Sequence, residues 1–81
     1  MPKLPKGFER WPRDSGAGFS FKADNLRGEL HPARDEHNLV QWVGYLWVDG
    51  SGRDERVAEV WSDTHWAAAI KLAALAQELL A

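Results

Sequence analysis

The residues of this 81-residue chain that could carry chemistry are few. Imidazole chemistry would fall to His31, His37 and His65. His31 and His37 flank Asp35-Glu36, but a zinc site needs three or four ligands converging on a tetrahedron. Their spacing matches no such pattern, and the chain has no cysteine to add. The pairs Asp35-Glu36 and Asp54-Glu55 are adjacent, so in an extended backbone their side chains diverge. General acid–base work needs a carboxyl group in a dry pocket, which a domain this small rarely closes. Gly16-Ala17-Gly18 and Gly50-Ser51-Gly52 precede strand-like segments, whereas phosphate-cradling loops open a helix, so both read as turns. The expectation is a protein that is not an enzyme, with no cofactor and no metal site.

The chemistry left is that of surfaces. Five tryptophans, three phenylalanines and one tyrosine are dense for this length, and each buries roughly 150–250 Å². They concentrate in LVQWVGYLWV, Leu39 to Val48. As a strand, this segment has two apolar faces, because side chains alternate. Val40, Trp42, Leu46 and Val48 fall on one face and Val43, Tyr45 and Trp47 on the other.

The elements that must position these residues follow from periodicity. Residues 1–15 hold Pro2, Pro5 and Pro12 and predict an irregular arm, with 16–81 as a single domain. Phe8 and Trp11 are the arm's large apolar groups and can pin it to the body. Strands are predicted over Gly18–Ala23, over Leu26–His31 up to Pro32, over Leu39–Val48 and over Glu55–Trp61. Asp24-Asn25 would be a two-residue turn and residues 32–38 a polar loop. A three-residue turn at Gly50-Ser51-Gly52 would set Gly44 opposite Ala58, Trp42 opposite Val60 and Tyr45 opposite Val57. The same register sets Val43 opposite Glu59 and Trp47 opposite Glu55. The Ala- and Leu-rich segment after Ser62 predicts a helix to the end of the chain, capped by Ser62 or Asp63. The fold class is α+β: an antiparallel sheet of three to four strands with one C-terminal helix on one face (ββββα).

That architecture leaves Val43, Tyr45, Trp47, Val57 and Trp61 on the helix-free face, rimmed by Glu55 and Glu59. Large uncovered apolar patches mark association, and Tyr and Trp are enriched at interfaces. The predicted partner-binding residues are therefore Tyr45, Trp47, Val57 and Trp61 for apolar contact. Glu55, Glu59, Asp35 and Glu36 would offer charge to a basic partner. The partner is expected to be another protein, with self-association as a dimer included.

Charge is mild overall, at −2, but residues 1–28 sum to +3 (six bases, three acids) and 29–81 to −5 (four bases, nine acids). The alternative expectation is a nucleic-acid-binding accessory protein, with the arm's Lys3, Lys6, Arg10 and Arg13 beside Phe8 and Trp11 as a basic–aromatic patch. Three strands and a closing alanine-rich helix are also similar to double-stranded-RNA-binding domains. Here, however, Asp63, Thr64 and His65 stand where that family begins its helix with a basic cluster. The amino terminus lacks the apolar core of a signal peptide and no long apolar run spans a membrane, so the expectation is a soluble, cytoplasmic protein.

The segment VWSDTHWAAAIKLAALAQEL, residues 60–79, resembles the end of small phage and prophage domains, in which a strand passes through an acidic-Thr cap into an Ala/Leu helix. Size, mild acidity and the lack of catalytic motifs are likewise similar to phage-encoded anti-defence proteins, anti-CRISPRs among them. This resemblance implies a stoichiometric inhibitor that occludes a site on a host defence or nucleic-acid-processing complex. It assigns no individual residue.

Overall fold

The computed structural model describes residues 3–50 and 55–81. The chain forms β1 (Phe8–Arg10), a 3₁₀ turn (Arg13–Ser15), β2 (Phe19–Ala23), β3 (Leu26–Arg34), β4 (Val40–Val48), β5 (Arg56–Ser62) and α1 (His65–Leu80). All five strands pair antiparallel with their sequence neighbours, in the order β1-β2-β3-β4-β5. The helix lies across β3, β4 and β5 on one face. The α+β class is as expected, with one more strand than the sequence predicts.

The additional strand lies inside the segment expected to be an irregular arm. Phe8 pairs with Phe21 and Arg10 with Phe19. Gly7, at φ 104°, turns the chain into this strand, and its carbonyl accepts from Lys22 N at 3.1 Å. Pro12 ends the strand. Proline also fails to stop β3, which runs through Pro32 to Arg34. The last β2–β3 pair is Phe19 with Leu30, so at Pro32 no neighbouring strand needs an amide on that flank.

The core forms where alternate residues of the strands meet the helix. Phe19, Phe21, Leu26, Leu30, Leu46 and Val60 are buried from the sheet, and Ala68, Ala69, Leu72 and Ala76 from the helix. The helix approaches closely because two sheet positions lack side chains. A Cβ on Gly28 would stand 2.6 Å from the Tyr45 carbonyl oxygen, and one on Gly44 3.2 Å from Leu72 Cδ1. Of the four β4 residues expected to face the helix, Leu46 is fully buried, and Trp42 and Val48 pack against the core. Val40 is 59% exposed.

The cap of α1 is Thr64 rather than Ser62 or Asp63: Thr64 Oγ1 accepts from Ala67 N at 3.3 Å. Ser62 still belongs to β5 and pairs with Trp42, so the turn into the helix comes later. At the outer edge of β5, Lys71 Nζ donates to the Trp61 carbonyl at 3.0 Å. Reaching over from α1, it occupies a carbonyl that a further strand could otherwise use.

The β4–β5 register differs from the predicted one by two residues. Gly44 faces Val60, Leu46 faces Ala58, Tyr45 faces Glu59, Val43 faces Trp61 and Trp42 faces Ser62. A bulge beside Leu46/Trp47 then brings Arg56 opposite Trp47 and leaves Val57 without a counterpart on β4. Of the turn predicted at Gly50-Ser51-Gly52, only Gly50, at φ 88°, falls within the described residues.

Candidate functional site

The helix-free face can be built row by row from the strand register. One row crosses the sheet as Glu9, Ser20, Glu29, Tyr45 and Glu59. On one side of it lie Lys22, Arg27, Trp47 and Arg56. On the other lie His31, Val43 and Trp61, with Trp11 stacked on His31 at 6.0 Å between ring centroids. A basic row with one tryptophan, an acidic row with one tyrosine and an aromatic row thus run side by side.

Contacts knit these rows together. Trp11 Nε1 donates to Ser20 Oγ at 3.0 Å. The His31 ring lies between Trp11 and Tyr45, 5.8 Å from the latter, and its Nδ1 is 3.1 Å from the Pro32 carbonyl oxygen. The Arg56 guanidinium sits 4.5 Å above the centroid of Tyr45, a cation–π contact. Glu59 takes a hydrogen bond from Trp61 Nε1 at 2.8 Å and an ion pair from Arg56 at 3.6 Å. Arg27 pairs with Asp49 at 3.6 Å. Val43, beneath this layer, is fully buried although no helix covers it.

Of the eight predicted partner-binding residues, Tyr45, Trp47, Trp61 and Glu59 share this face. The three rings are half-buried. Val57, at the bulge, is 44% exposed, and Glu55 precedes β5, exposed. Asp35 and Glu36 lie at the β3–β4 turn and share a shallow depression with Arg34 and Trp61. Glu59 lies beside Tyr45 and Trp61, and the rim also carries bases that the sequence reading does not foresee. Lys22, Arg27 and Arg56 border Trp47, and sequence reasoning missed this basic row. Half of it was accessible: a two-residue turn at Asp24-Asn25 fixes Lys22 opposite Arg27.

The expected cover by the arm is divided. Phe8 packs on the helix side, 4.6 Å from Phe21, whereas Trp11 lies on the helix-free side. Their spacing carries the signal, since residues three apart in an extended chain point to opposite faces. Trp11 reaches the end of the face at His31. Its seat depends on Gly18, where a Cβ would stand 2.5 Å from Trp11 Cε3. Gly18→Ala is expected to dislodge the indole and cost about 1–3 kcal/mol by overpacking. Loss of nuclear Overhauser contacts between Trp11 and His31, with a lower melting temperature, is the check.

Asp35 holds its own turn. Its Oδ1 accepts from Leu39 N at 3.0 Å and from His37 N at 2.9 Å, while Arg34 donates to the Asn38 carbonyl at 2.9 Å. The Leu39 amide is the largest influence holding the Asp35 carboxyl below its usual range, with the His37 amide and charge and the Gln41 side chain adding to it. A depressed folded-state pKa stabilises the native chain above the unfolded-state value and is lost as pH falls through the folded one. Chemical shifts of the His37 and Leu39 amides are therefore expected to titrate together in acid. Asp35→Asn should abolish that step and lower the melting temperature at neutral pH.

The three histidines occupy three separate places. His37 is exposed beside Glu36, 3.5 Å away; His31 lies in the aromatic row; and His65 sits at the start of the helix against Phe19, Trp42 and Trp66. Among the described residues, no three His, Asp or Glu side chains are grouped as metal ligands would be. No helix of the described residues is long and apolar enough to cross a membrane. No family model matches the chain, and no curated protein or solved structure matches it either.

Proposed function

We propose that this chain is a non-catalytic protein-binding module whose contact surface is the helix-free face of the sheet. The observation that carries this reading is the trio Tyr45, Trp47 and Trp61, half-buried together on the sheet face opposite the helix. Such rings are the usual anchors of interfaces. The neighbouring rows of opposite charge favour a protein over a polyanion. Glu9, Glu29 and Glu59 cross the middle of the face, where a phosphate backbone would be repelled, while Lys22 offers a cation to carboxylates beside Arg27 and Arg56, which already pair with Asp49 and Glu59. In its most concrete form the activity is occlusion of a site on a host complex, as the resemblance to small phage-encoded inhibitors implies. The test is association of Tyr45→Ser and Trp47→Ser variants that retain their fold, followed by light scattering and by binding to a candidate complex. Folded variants that associate as the parent does overturn the assignment.

A further inference from the structure

A second concave feature lies away from the helix-free face, where the start of α1 meets the β1–β2 connection. It is a cleft of about 640 Å³, within the range of small-molecule sites. Its walls are the rings of Trp11, Phe19, Trp42 and His65, and its cations are Arg10 and Arg13. Among the described residues none that lines it is acidic, and neither arginine forms an ion pair.

The aromatic part is already ordered. His65 stacks on Phe19 at 5.6 Å with an interplanar angle of 12° and contacts Trp42 at 5.5 Å. The Arg10 guanidinium is held 5.5 Å from the Phe19 centroid. Trp11 is fixed by its bond to Ser20. A ligand entering here meets aromatic residues and the Arg10 guanidinium, with Arg13 a second cation of the lining. Guanidinium groups match phosphate bidentately, and aromatic walls accept a planar base with little selectivity.

We infer that this cleft binds a mononucleotide, its base against the Trp42 and His65 rings and its phosphate toward Arg10 and Arg13. This site is independent of the proposed protein-binding face, apart from Trp11 at their shared border. The test is a titration of the full chain with adenosine monophosphate, adenosine and inorganic phosphate. The readout is the indole Nε1–H signals of the five tryptophans. The expected result is saturable shifts at Trp11 and Trp42 with adenosine monophosphate and little change at Trp47 and Trp61. Adenosine and phosphate alone should bind at least tenfold more weakly. Arg10→Gln and Arg13→Gln, both at exposed positions, should each weaken binding by about tenfold or more, as expected for loss of a charged hydrogen bond. An unchanged spectrum up to millimolar ligand, or binding indifferent to both arginine changes in folded variants, overturns the inference. So does a 5′-phosphorylated single strand that binds when adenosine monophosphate does not. Loss of nucleotide binding leaves the Tyr45 and Trp47 results unaffected, so the two readings fail separately.

Discussion

Leu72→Ala is expected to lower stability by about 3 kcal/mol, within the usual range of roughly 2–5 for a buried leucine. Leu72 is fully buried and belongs to the cluster of Phe21, Leu26, Leu46, Val60 and Ala76. It also reaches the two glycine hollows of the sheet: its Cδ2 stands 3.4 Å from a Cβ on Gly28 and its Cδ1 3.2 Å from one on Gly44. Collapse around the missing side chain is limited, because the sheet backbone beneath is already in contact with its neighbours. For a domain this size the loss corresponds to a fall in melting temperature of roughly 12–24 °C. Ile70→Ala, on the same helix but 52% exposed, should change stability by no more than about 0.5 kcal/mol. The hollows make a further point testable. Gly44→Ala crowds Leu72 and Val60, so in the double variant Leu72→Ala/Gly44→Ala the added methyl should fill part of the cavity. The double variant should then be more stable than the sum of the single losses. Thermal melts of the four proteins decide it; strict additivity would mean that the helix does not close on Gly44.

The reasons why some of this was legible and some was not are physical. Side-chain alternation in LVQWVGYLWV separated the helix face from the free face correctly, and this survived an error in register. From Trp42 to Leu46 the β4–β5 pairing differs from the expected one by two residues, which preserves the side each residue faces, whereas the bulge at Trp47 turns Arg56 from the helix side to the free face. The shift does not preserve partners. Val57 therefore moved from a place opposite Tyr45 to a bulge, and Arg56 came to lie over the ring instead. A bulge depends on local backbone geometry at Trp47, for which composition gives no cue. The three residues of β1 are too few for a periodic signal, and the prolines around them argue for irregularity. Thr64 takes the cap because β5 continues through Ser62, a tertiary fact rather than a local one. The cleft between the start of α1 and the β1–β2 connection was not legible either. Its parts come from positions 10–19, 42 and 65, which only the folded chain brings together.

Trp47→Ser and Tyr45→Ser are expected each to weaken association by about 2 kcal/mol or more, roughly 30-fold. The two rings occupy different electrostatic settings, so their losses should differ in kind. Tyr45 lies in the acidic row, with His31 on one side and the Arg56 guanidinium over its face. Removing it frees Arg56 as well as deleting apolar area, so part of the loss should appear as altered salt dependence. Trp47 is flanked by Arg27 and Arg56 in the basic row, and its loss should fall mainly on the dissociation rate, as it does for a desolvated anchor. Lys22→Glu, at the exposed end of that row, should slow association and steepen no dissociation, the behaviour of a rim charge. Val57→Ser is the control: the side chain is apolar and exposed but displaced by the bulge, so its change should be within a few-fold. Surface plasmon resonance at two salt concentrations separates these effects, with melting temperature as the check that each variant is folded. If Val57→Ser proves as damaging as Trp47→Ser, contact is centred on the β5 edge. The rows of the helix-free face would then be a self-supporting layer over Val43 rather than a binding surface.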